Sequence, residues 1–78
     1  MKLIYADRYR KLGLKIAYYR KLKGLTQEQL AEAIDVTSAY IGHVEAPNIN
    51  KAISLDMLFA ISDCLEIAPY KLIDFEED

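Results

Sequence analysis

Residues 37–45, TSAYIGHVE, set two hydroxyls side by side at Thr37 and Ser38, a phenol at Tyr40 and the chain's one imidazole at His43. Hydroxyl and imidazole groups both donate and accept hydrogen bonds. The rest of the chain offers them little catalytic company. No nucleophile–base pair and no phosphate-cradling glycine loop can be picked out, so the chain is not expected to be an enzyme. One histidine and one cysteine fall short of the four ligands of a structural zinc site, and neither a metal nor a cofactor is expected. Cys64 has no disulfide partner and is expected to pack as a small apolar side chain. What these residues can do is recognise a surface.

With 78 residues, 53% hydrophobic and 28% charged, the chain reads as one soluble domain spanning 1–78. It has no apolar run of membrane-spanning length, and the start MKLIYADRYRKL lacks the apolar stretch of a secretory signal. A cytoplasmic location is expected. The net charge of −2 hides a strong asymmetry. Residues 1–25 carry eight cations against Asp7, net +7, while residues 26–78 carry two cations against eleven carboxylates. The basic third is either the solvated face of a first helix or a track for phosphates.

Every strong period along the chain is helical. Leu12, Ile16 and Tyr19 predict an amphipathic helix from about Asp7, as N-cap, to Lys23, closed by Gly24. Thr26 and Gln29 form a capping box, with Leu25 and Leu30 as its hydrophobic staple, for a second helix running to Ile34. Val36, Thr37 and Ile41 repeat that grammar for a third, which stops before Pro47. Ser54 caps a fourth with the stripe Leu55, Leu58, Phe59, Ile61 and Leu65, and a short fifth is predicted near Pro69. The expected fold is all-α, a compact bundle of five short helices. Residues 1–6 form an N-terminal extension and 74–78 an acidic tail.

Only Asp35 and Val36 separate the predicted second and third helices, which forces a steep crossing, the helix-turn-helix arrangement. From Leu12 to Ile73 the chain resembles the lambda-repressor-like, or Cro/XRE, family of DNA-binding domains. The likeness rests on LGLKIAYYRKLKGLTQEQLAEAIDVTSAYIGHVE and SLDMLFAISDCLEIAPYKLID. At 100° per residue from Thr37, Ile41 and Val44 point inward, and Ser38, Ala39, Gly42 and His43 outward. Thr37 and Glu45 are placed with the inward residues.

The resemblance implies a transcriptional regulator, a repressor in the first instance, that binds double-stranded DNA as a homodimer with its third helix in the major groove. It assigns base contacts to Ser38, Ala39 and His43, and a phosphate contact to Gln27. Tyr40 sits at the boundary, its hydroxyl within reach of a phosphate, and Thr37 and Gly42 complete the reading helix. Asn48, Asn50 and Lys51 form an expected second phosphate clamp. Arg20 and Glu45 match an ion pair joining the first helix to the third, and Tyr70, Ile73 and Phe75 a two-fold patch. Ser38 can donate or accept, Ala39 can touch a thymine methyl, and His43 can donate to guanine or phosphate. None provides a bidentate readout, so base discrimination is expected to be modest. An interaction module with a protein partner, such as an antitoxin or antirepressor, is the alternative use of the same fold.

Overall fold

The structure, a computed structural model, describes residues 3–49 and 51–75. A 3-10 turn, Leu3–Tyr5, leads straight into α1, Ala6–Leu22. Then come α2, Gln27–Ala33, α3, Ser38–Glu45, and α4, Leu55–Leu65. A second 3-10 turn, Pro69–Leu72, follows. No strand occurs among the described residues. The expected residues Met1, Lys2, Asn50 and 76–78 of the acidic tail lie outside the described ones.

Three helices begin as their cap residues predict. Thr26 Oγ1 accepts from the Gln29 amide while Gln29 Oε1 accepts from the Thr26 amide, the reciprocal box. Thr37 Oγ1 accepts from the Tyr40 amide at 3.0 Å, and Ser54 Oγ from the Met57 amide at 3.1 Å. Each side-chain oxygen satisfies one of the amides that a helix start leaves without a partner.

The start of α1 differs from expectation. Asp7 is not its cap: the helix begins at Ala6, with Tyr5 in the cap position and no side-chain cap bond. The leading 3-10 turn has already set helical geometry, so Asp7 lies inside the first turn. There its carboxylate accepts from Arg10 Nη2 at 2.7 Å and pairs with Lys11 at 3.4 Å, one turn on. The hydrogen bond from Arg10, more than any other contact, holds its pKa below the ordinary carboxylate value.

Three helices end in the same way, with one residue in left-handed geometry and two backbone bonds closing the last turn. At α1 that residue is Gly24, φ 83°, with the Gly24 amide on Lys21 O and the Leu25 amide on Arg20 O. At α2 it is Asp35, φ 59°, and at α4 Glu66, also φ 59°. The Val36 amide reaches Ala31 O at 2.9 Å and the Ile67 amide Ser62 O at 3.0 Å. Only the first of these ends uses glycine.

The core is Leu12 and Ile16 from α1, Leu30 and Ala31 from α2, Ile41 and Val44 from α3, and Leu58, Ile61 and Leu65 from α4, closed by Leu72. The predicted fifth helix is instead the single turn Pro69–Leu72, in which Leu72 alone is buried. One buried side chain gives a longer helix nothing to pack on. The fourth stripe is also narrower than predicted: Leu55 and Phe59 are exposed, because no element among the described residues covers the side of α4 opposite Ile61. Thr37, placed inward above, is exposed and acts through its cap bond.

Candidate nucleic-acid interface

Between α2 and α3 lie Ile34 to Thr37, two of them caps, and the left-handed Asp35 turns the chain sharply there. The two helices pack directly on each other, and α3 also packs on α1. The outward surface of α3 presents Ser38, Ala39 and His43, all exposed, with Gly42 and Tyr40 half-buried beside them. Ser38, Ala39 and His43 thus share a free face of one helix. A Cβ on Gly42 would meet only Gln27 Oε1, at 3.6 Å, so crowding within the protein does not require glycine here.

Tyr40 packs against the core, and burial raises its phenol pKa. The Lys51 ammonium stands 5.6 Å from the Tyr40 ring centroid, within cation–π reach. That contact brings a loop cation beside the start of α3. Asn48 is exposed on the same loop.

Under the reading helix lies a buried polar network. Arg20 Nε donates to Glu45 Oε2 at 2.7 Å and Arg20 Nη2 to Glu45 Oε1 at 3.0 Å, a forked pair with both residues 7% exposed. Arg20 Nη1 donates to the Leu25 carbonyl at 2.7 Å, just ahead of the α2 cap. Gln27 Nε2 donates to Glu45 Oε1 at 2.9 Å. One guanidinium and one carboxylate therefore tie α1, the start of α2 and the end of α3 together. The Gln27 side chain faces Glu45, with one amide hydrogen used there and the second left over.

Gly13 carries a positioning role that the sequence reading did not assign. A Cβ at Gly13 would lie 2.1 Å from the Val44 carbonyl oxygen and 3.3 Å from Glu45 Cα, both backbone atoms of α3. Only a residue without a side chain lets α3 sit this close to α1. Periodicity carried no signal for it, since Gly13 lies mid-helix between Leu12 and Leu14.

The N-terminal cations are partly balanced in place. Arg10 and Lys11 engage Asp7, Arg20 engages Glu45, and Lys23 engages Glu66. Away from α3 in the chain, Tyr70 and Ile73 are exposed, by 62% and 52%, while Phe75 is half-buried against the core. On α4 Leu55 and Phe59 are exposed, by 67% and 47%, and Leu55 lines one cavity with Ile73 and Phe75. Among the described residues no cluster of His, Cys, Asp and Glu could hold a metal ion. No helix among them is long and apolar enough to cross a membrane.

The fold and the capped α2–α3 unit define an all-α helix-turn-helix protein. A family model for helix-turn-helix domains matches residues 16–72, and the chain belongs to this Cro/C1-type family. No curated protein matches it. Among solved structures it is similar to the restriction-modification controller protein C.AhdI from Aeromonas hydrophila: 31% identity, 82% of this chain and 94% of that one, TM-score 0.75. It is also similar to the biofilm master regulator SinR in complex with DNA: 32% identity, 81% and 98% coverage, TM-score 0.74. SinR in the SinR–SinI complex matches at 30% identity, covering 85% of this chain and 63% of that one, TM-score 0.76. The chain is thus homologous to XRE-family transcriptional regulators.

Proposed function

We propose that this protein is a sequence-specific DNA-binding transcriptional regulator, a repressor, that binds operator DNA as a homodimer. The observation that carries the reading is the free face of Ser38, Ala39 and His43 on a helix whose other face is locked by Arg20 and Glu45. In this reading α3 enters the major groove and those three side chains meet base edges. Thr37 caps the helix, and Gly42 leaves room for the sugar–phosphate backbone. Tyr40, Lys51, Asn48, Asn50 and the second amide hydrogen of Gln27 address phosphates. Tyr70, Ile73 and Phe75, joined by Leu55 and Phe59, form the two-fold patch that sets half-sites about 34 Å apart.

Selection of bound sequences from random DNA tests the reading. The expected result is an enriched, two-fold symmetric site. Binding no tighter than to bulk DNA at ~50 mM salt would sink it. Within such a site, Ser38→Ala or His43→Ala relaxes base preference. Lys51→Ala weakens all sequences alike and lowers the salt slope by about 1.

A second reading, a protein-interaction module on the same fold, draws on one observation, the exposed apolar surface of α4 and the turn after it. SinR is also known in complex with SinI. A stoichiometric protein partner together with absent DNA affinity is the result that selects this reading.

A further inference from the structure

Away from α3, a cavity of about 290 Å³ opens between the start of α1, the start of α4 and the segment after the second 3-10 turn. Its volume is at the low end of the range for small-molecule sites. Leu12 and Leu58, core residues, line its inner part, while Leu55 and Ile73, more than half exposed, border its mouth. Polar groups join this apolar lining: the exposed Arg8 and Ser54, and the phenols of Tyr5 and Tyr9. The Arg8 guanidinium stands 5.5 Å from the Tyr5 ring centroid, and no described carboxylate pairs with it. Its neighbours on α1 are placed otherwise, Arg10 and Lys11 both turned to Asp7. Ser54 Oγ accepts from the Met57 amide, which leaves its hydroxyl hydrogen to donate.

An apolar cavity with a cation and a hydroxyl donor in its lining is complementary to one chemical class. We propose that it binds a small monocarboxylate with an apolar body, such as a medium-chain fatty acid, with the carboxylate on Arg8 and Ser54 and the hydrocarbon against Leu12 and Leu58. Charge complementarity favours the anion, since only a carboxylate can form a charge-assisted hydrogen bond with the exposed Arg8 guanidinium. None of the DNA-facing residues of α3 lines this cavity, so the site stands apart from the reading face of that helix. One consequence does rest on that reading: Leu55, Ile73 and Phe75 also belong to the proposed two-fold patch, so a bound carboxylate would compete with the dimer.

The test is an amide-resolved NMR titration of the full chain with sodium octanoate, and in parallel with 1-octanol. The expected result is saturable one-to-one binding of octanoate below its micelle concentration, with shifts centred on Arg8, Tyr9, Ile53 and Ile73. Arg8→Gln is expected to weaken octanoate about tenfold and to leave 1-octanol unchanged, the loss typical of one charge-assisted hydrogen bond. Leu55→Trp, at an exposed position, should block the cavity and abolish both. Three results each overturn the proposal: no saturable octanoate binding, unaltered octanoate affinity in Arg8→Gln, or shifts at these residues that track protein concentration and exclude octanoate. The last would mean that a second copy covers the cavity. DNA affinity is read separately on the same protein, so failure of this site and failure of the DNA reading are distinguishable.

Discussion

Where α3 meets α1 and α2, directional contacts add to the apolar packing of Ile41 and Val44. A forked ion pair, a guanidinium–carbonyl bond and the Gln27 amide converge on Glu45 and Leu25, and the Val44 carbonyl presses on Gly13. Where α4 meets the rest, Leu58, Ile61 and Leu65 pack with Leu72 of the second 3-10 turn through apolar side chains, and an exposed ion pair, Lys23 with Glu66, bridges the ends of α1 and α4. Apolar contacts are non-directional and tolerate repacking. A guanidinium fork admits one geometry. The element with the free polar face is therefore the one whose angle is fixed, and the element with the free apolar face is the one with latitude. This difference ranks the substitutions below.

The largest expected effect lies in the network. Glu45→Ala strands the Arg20 guanidinium in a buried site and is expected to cost about 3–5 kcal/mol, read by denaturant unfolding. Arg20→Met with Glu45→Leu removes both charges and should restore much of that stability, as apolar replacements of buried pairs often do. Gln27 then loses its acceptor, and α3 loses the contact that sets its angle. A double variant as stable as the parent that still selects the same DNA sites would break the comparison.

Next comes Gly13→Ala. Its methyl group would meet two backbone atoms of α3, neither of which can swing aside, so α3 must move off α1. Overpacking of this kind costs about 1–3 kcal/mol, and in a domain this small each kcal/mol lowers Tm by about 4–8 °C. An unchanged Tm would show that the α1–α3 approach is not tight.

Gly42→Ala should act in the opposite direction. Among the described residues only Gln27 Oε1, at an ordinary contact distance of 3.6 Å, meets the added methyl group, and alanine favours a helix interior by about 1 kcal/mol over glycine, so Tm is expected to rise. A stabilised variant with lost DNA affinity assigns Gly42 to close backbone approach. A stabilised variant that binds as before removes it from the interface.

Much of this layout was legible in the sequence, for a local reason. Thr26, Thr37 and Ser54 cap their own helices through atoms three residues away, so three starts could be read without knowing the fold. Asp7 looks like a cap for α1, but the 3-10 turn ahead of it starts the helix at Ala6, and two cations one turn on hold its carboxylate. The left-handed end at Gly24 announced itself and that at Glu66 did not, since glutamate carries no bias toward that geometry. Gly13 was invisible because its meaning lies in another helix. The stripe Leu55 to Leu65 is wider in the sequence than the face that is buried, because a period identifies an apolar face but not how much of it the rest of the chain can cover.

That uncovered edge gives the smallest expected effect on stability and the sharpest separation of the two halves. Phe59→Gln with Tyr70→Gln alters two side chains on the exposed apolar surface, neither of them part of the cavity lining. Substitutions away from buried networks change stability little, and the pair should cost less than about 1 kcal/mol. If a second copy covers this surface, sedimentation should show the parent as a dimer and the variant as a monomer. Each monomer would still present Ser38, Ala39 and His43 on a helix held by Arg20 and Glu45. Half-site contacts should then persist at low salt, while affinity for the full two-fold site falls to that of a half-site, because linkage between the halves is gone. Loss of half-site contacts together with the dimer would mean that the α4 surface helps to set the angle of α3, and the division between an angle-fixed reading half and a tolerant apolar half would not stand.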